Sequence, residues 1–247
     1  MQLRTYLAGL AIAGIGLACL ATDMPAYRLV AGELPPFAVE HGELAPGALG
    51  ELAEAMSQRM GSPARVEFFP WQRAITMPLK QSRVAVLPLT RTPEREAQYR
   101  WLVKLYQQDF VFISLHRAHI GPLNAEALRH KRIVVLRGSP HLAVLHAEHF
   151  DHVSETYSVE DCLRMVQSGL ADAMYGGAEI HHEAIRLAGL RNADFDFSAP
   201  LRSGDIWLAG STDFTAADST AWQTAKEGML KDGSYARILR KYGLSAK

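Results

Sequence analysis

Residues 158–189 read SVEDCLRMVQSGLADAMYGGAEIHHEAIRLAG, and three kinds of segment follow one another in them. SVEDCLRMVQSG is an amphipathic helix pattern, ADAMYGG is a short apolar strand ending in two glycines, and AEIHHEAIRLAG is a helix again. Helix, strand and helix in direct succession belong to βαβ units. Cys162 reads as a small core residue on the first helix, and Asp172 as a structural residue where the strand begins.

The alternation extends both ways. YRLVAG is a strand from Tyr27, LGELAEAMSQRMG a helix closed by Gly61, and ARVEFF a strand. WQRAITMPLK is a helix with Pro78 near its end, and VAVLPL is a strand. KRIVVLRG is a strand and PHLAVLHAEHF a helix. The expected class is α/β, with a mostly parallel sheet and helices on both faces. Two β-rich stretches break the rhythm, WLVKLYQQDFVFISLHR and SGDIWLAGS. As extended crossings near Ile113–His116 and Arg202–Ile206, they predict a first lobe from residues 22–114 and 205–247. Residues 115–204 then form the second.

The 26 basic and 26 acidic side chains cancel, with no long basic run, which argues against nucleic acid as a partner. The opening MQLRTYLAGLAIAGIGLACLA has one early arginine and then an uncharged apolar stretch. It reads as a signal peptide over residues 1–21, removed on export to the periplasm. Two alternatives are a lipoprotein anchored at Cys19, against which Gly16 stands, and an uncleaved anchor, for which the stretch is short. Cleavage leaves Cys162 as the only thiol, so no intrachain disulfide is expected. The ten histidines lack metal-ligand spacing: His181 and His182 diverge on a helix, and His141, His146 and His149 form no clean set. No metal or cofactor is expected.

Four segments resemble the bacterial extracellular solute-binding proteins of family 3, the polar-amino-acid type that serve ABC importers. GELPPFAVEHGELAPGALGELAEAMSQRMG is similar to the family's opening strand, Pro-Phe loop and first helix. TRTPERE resembles its Thr-x-x-Arg corner, and YSVEDCLRMVQSGLADAMYGG its helix and Asp-Ala strand. AWQTAKEGMLKDGSYARILRKYGL resembles its C-terminal helix pair. The resemblance implies a type II periplasmic binding protein-like fold, two α/β lobes joined by a two-strand hinge. It also implies a small-molecule solute, an inner-membrane ABC permease as partner, a monomer, and no catalysis.

Three strand-to-helix corners supply the candidate site. In the first, Thr92 is a candidate N-cap and Pro93 the first helical residue, which leaves Arg95 in the opening turn. A cation there opposes the helix dipole and suits an anionic ligand, whereas the alternative is a salt bridge to Glu94, Glu96 or a neighbouring helix. The resemblance places the family's carboxylate-binding arginine on Arg95 and a hydroxyl ligand on Thr90. Two further serine positions of the family are Leu87 and Pro88 here. In the second corner Ser139 is either a ligand-binding hydroxyl or an ordinary N-cap, with Pro140 at the first helical position. In the third, the acidic residue that pairs with an α-ammonium in many members falls on Gly177, with Tyr175 or Glu179 as substitutes.

Glu33 and Phe37 follow the first strand, where the family places an aromatic wall. Trp71 serves as a second wall or as core, and Arg73 suits a second anionic group. The function implied is capture of a small carboxylate-bearing solute, amino-acid-like or an organic anion. The alternatives are a dehydratase-like enzyme using Glu33 or Glu179, and a sensory receptor feeding a membrane kinase.

Overall fold

A computed structural model describes residues 26–246. The signal segment expected at residues 1–21, with Cys19, lies outside the described residues. The first run comprises β1 (Arg28–Ala31), α1 (Ala48–Arg59), β2 (Val66–Phe68), α2 (Trp71–Thr76), β3 (Val84–Thr90) and the long β4 (Arg100–Leu115). A second run follows: α3 (Ala125–Leu128), β5 (Arg132–Leu136), α4 (His141–Ala147), β6 (His152–Thr156), α5 (Val159–Gln167), β7 (Ala173–Gly177), α6 (Ala178–Leu187) and β8 (Phe195–Phe197). The chain closes with β9 (Arg202–Gly210), α7 (Ala216–Lys231) and α8 (Ser234–Lys241).

The strands lie in the order β2–β1–β3–β9–β4–β7–β5–β6, with β8 beside β4. Both ends of the sheet are parallel, β2–β1–β3 on one side and β7–β5–β6 on the other. Each parallel pair needs a crossover, which α1, α2, α4 and α5 provide. The middle is antiparallel, because β9 runs against both β3 and β4, and β4 against β7. The parallel units read from the sequence therefore occupy the flanks, and two antiparallel strands join them.

Strand β4 makes the join. Its first part pairs with β9, and from Phe110 onward it pairs with β7. Phe110 stands opposite Arg202 on one side and Gly177 on the other. Strand β6, HVSET, escaped the sequence reading because it is a polar edge strand without a buried alternation.

Helix α7 carries a capping box, in which Thr215 accepts from the Asp218 N–H and the Asp218 carboxylate accepts from the Thr215 N–H. Asp218 also takes two bonds from Arg83, at 2.9 and 3.1 Å, tying the C-terminal helix to the start of β3. Two apolar clusters flank the centre, one around Val86, Leu89 and Ile75, the other around Val134, Leu163 and Met174. Trp71 packs against both. Leu34, from the first run, is buried within the second cluster. Residues of the first run thus pack into the core of the second.

Candidate functional site

Strands β3, β5 and β7 end around one cavity, whose space including its mouth is about 600 Å3. Thr90, Leu136 and Gly177, the last residues of those strands, line it. The carboxyl ends of parallel strands are where α/β sheets bind ligands, since free backbone groups and loop side chains converge there.

Arg95 lines the cavity from the first half of the molecule. It donates to the Thr90 carbonyl at 3.1 Å and to the Gly138 carbonyl at 2.6 Å, so one guanidinium spans both halves. Gly138 has φ of +77°, and a Cβ on it would run into the Gln72 side chain; both facts favour glycine there. No carboxylate among the described residues forms an ion pair with Arg95. Burial lowers its pKa, yet a guanidinium stays charged. Glu96 is engaged instead by Arg91, at 2.9 and 2.5 Å. The neighbouring-acid alternative for Arg95 is therefore not what the structure holds.

The corner that carries Arg95 differs from the expected helix. Pro93–Arg95 make a single 3-10 turn, and the Thr92 side chain caps nothing. One turn has no useful dipole, so charge and placement, not dipole mismatch, make Arg95 available. At the second corner α4 begins at His141, one residue later than expected. Both the N–H and the hydroxyl of Ser139 donate to Leu136 O, at 3.2 and 2.6 Å, and the hydroxyl accepts weakly from His141 N at 3.4 Å. Ser139 lines the cavity, but its donors are already engaged.

Gly177 closes β7 and precedes α6. A Cβ there would overlap the side-chain amide of Gln108, which enters from β4. The position expected to hold an acid thus holds a neutral amide from another strand. Tyr175 also lines the cavity, with its phenol pKa pushed up by burial. Glu179 accepts from the Tyr106 hydroxyl at 3.1 Å and is not among the lining residues.

Phe37 and Trp71 line the cavity as expected walls. Arg73 and Glu33 do not. Arg73 is exposed, with its guanidinium over the Phe69 ring at 4.9 Å. Glu33 sits exposed, accepts the Glu40 N–H at 2.7 Å, and has a pKa raised first by desolvation. Their helix and loop positions were legible, but the direction of each side chain was not.

Gln108, His141 and His181 were missed. His141 is the first residue of α4, 4.9 Å from the Phe110 ring and 5.1 Å from Tyr175, centroid to centroid. His181 approaches Gly176 closely, while adjacent His182 is exposed and stacks on Phe197 at 4.2 Å. Burial lowers both His141 and His181 to about 3, so both are neutral imidazoles at pH 7. Arg95 adds to the effect on His141. The sequence signal was only the apolar face that carries each histidine.

Four buried polar atoms around this one cavity find no partner among the described residues: Trp71 Nε1, Gln108 Nε2, His181 Nδ1 and the Tyr175 hydroxyl. Native interiors pair almost every such group, so their gathering here makes this cavity the candidate site.

A sensor domain of a histidine kinase with similarity to periplasmic binding proteins superposes with a TM-score of 0.78 at 17% identity, covering 90% of this chain and 97% of that one. The fold is the type II periplasmic binding fold. A mutant of the arginine-binding protein ArgBP from T. maritima shares this binding fold at TM-score 0.77 and 18% identity, over 88% of this chain and 95% of that one. So does the GluR0 ligand-binding core from Nostoc punctiforme in complex with L-glutamate, at TM-score 0.75 and 15% identity over 87% and 98%. No protein-family model matches the sequence, and no curated protein matches it. The cavity lined by the ends of β3, β5 and β7 is the candidate site in this fold.

Proposed function

We propose that this protein is an exported receptor that captures a small carboxylate-bearing solute between its lobes and presents it to an inner-membrane ABC permease. The lobes are residues 22–114 with 205–247, and residues 115–204. The observation that carries the reading is Arg95, a cation in the cavity whose hydrogen bonds among the described residues go to two backbone carbonyls and not to an acid. A carboxylate taking two parallel N–H bonds would neutralise it with geometry suited to a guanidinium. Thr90, Trp71, Phe37, Tyr175 and the Gly177 backbone complete the contacts, with Ser139 a weaker one.

The lining supports a reading of binding without chemistry. Neither Glu33 nor Glu179, the candidate general acids, is part of it, and its two histidines are too acidic to carry protons near neutrality. Amino-acid transport proteins among the structural neighbours support the transport setting. Among the described residues no helix is long and apolar enough to cross a membrane.

The test is a thermal-shift panel of amino acids, dicarboxylates, neutral sugars and organic cations. Carboxylates should raise the melting temperature; a response confined to sugars or cations overturns the reading. The kinase sensor domain among the neighbours favours a second reading, in which occupancy is signalled and not transported. A permease gene next to this one supports import, and a kinase gene supports sensing.

A further inference from the structure

We infer that the solute carries no ammonium group: the cavity selects a carboxylic acid bearing an uncharged α-oxygen, an α-oxo or α-hydroxy acid, on an apolar side chain. The inference rests on the carboxylate reading of Arg95 and names the chemistry at the other end of the same site.

The first support is steric. Gln108 is 2% exposed, and its amide fills the volume into which any side chain at position 177 would project. A side chain at Gly177 therefore requires the Gln108 amide to move. The backbone at Gly177 is ordinary, with φ of −69°, so it is Gln108 and not a conformational demand that holds this position to glycine.

The second support is charge. Arg95 is a cation, and among the described residues no aspartate or glutamate lines the cavity. Glu179 is turned to the Tyr106 hydroxyl, and exposed Glu33 accepts from the Glu40 N–H and is not among the lining residues. A zwitterion placing its carboxylate on Arg95 would bury its ammonium beside neutral groups, and an uncompensated buried cation is strongly disfavoured. An α-oxygen has no such requirement. It can accept from Gln108 Nε2, a buried donor with no partner among the described residues.

The third support is the remaining wall. Leu34, Phe37, Trp71, Phe110, Leu136 and Ile180 surround the rest of the space. They offer an apolar side chain a dry surface and give a second ionic group no partner, in keeping with the outward position of Arg73.

Matched trios test this by isothermal calorimetry: phenylalanine, phenylpyruvate and phenyllactate, and leucine with its α-oxo and α-hydroxy counterparts. The oxygenated acids should bind about 100-fold or more tighter than the amino acids of the same side chain. The near-isosteric Gln108→Glu, its folding checked by circular dichroism, should narrow or reverse that ratio. Equal binding of amino and oxygenated acids overturns the inference and leaves the carboxylate reading standing. Binding of none of the six overturns the apolar carboxylate assignment itself. Should Gln108→Glu fail to fold, the trios on the unaltered protein still decide.

Discussion

The side-chain amide of Gln108 occupies the volume that a Cβ on Gly177 would require. The two residues lie 69 positions apart by their numbers, on β4 and at the end of β7, and the antiparallel pairing of those strands brings them together. One local substitution on each side follows from that contact.

Gly177→Ala should lower stability by about 1–3 kcal/mol, the usual cost of overpacking a filled interior. In a Gln108→Ala background the added methyl meets a gap, and most of the cost should vanish. Urea unfolding of the four proteins measures the coupling; additive effects would show that the two side chains do not compete for space.

Arg95→Ala should abolish the carboxylate-induced rise in melting temperature. The unliganded protein should lose only its two bonds to carbonyls, roughly 0.5–1.5 kcal/mol each. Arg95→Lys keeps the charge without the planar fork, so its carboxylate affinity should fall by about tenfold and not disappear. Unchanged affinity in Arg95→Ala would remove Arg95 from the site.

Acid should destabilise the fold above the range in which carboxylates titrate. His141 and His181 have folded pKa values of about 3 against an ordinary 6.5. Between those values the unfolded chain binds more protons, so stability rises with pH and is lost as pH falls below about 6.5. Each histidine contributes a slope of up to about 1.4 kcal/mol per pH unit in that window. Arg95 beside His141, and His182 beside His181, act in the same direction. Exposed His116, raised by its bond to Asp196, acts in the opposite one. Urea midpoints measured at about pH 7.0, 5.5 and 4.5 should fall in that order. His181→Gln should flatten the profile; a pH-independent midpoint would show that the imidazoles are not buried neutral.

Cys162 should respond to occupancy. It is 2% exposed, burial pushes its thiol up to about 11, and it nevertheless lines the cavity. In the chain lacking residues 1–21 it is the sole thiol. Iodoacetamide should modify it slowly when the protein is native, and more slowly still with a bound carboxylate. Rapid labelling indifferent to ligand would place Cys162 away from the closing cleft.

Strands β1, β3, β5 and β7 and helices α1, α5 and α6 were legible because their periodicities are those of buried strands and one-sided helices. Arg95 was legible as a cation at a strand-to-helix corner that also resembles a carboxylate-binding motif. The single 3-10 turn at Pro93–Arg95 was not, since Thr92-Pro93 opens a helix and a one-turn stop equally well. The outward turn of Arg73 depends on Phe69 being beside it, and the engagement of Ser139 on the path of the Leu136 carbonyl.

Local order along the chain was thus sufficient for the α/β class, the alternation of elements and the charged corner, because those depend on interactions between residues a few positions apart. The lining of the cavity was decided by contacts across the sheet: Gln108 over Gly177, Arg95 reaching the Gly138 carbonyl, His141 and His181 withdrawn from water. These residues are distant in sequence. Whether each is charged, paired or aimed at a guest depends on neighbours that only folding supplies.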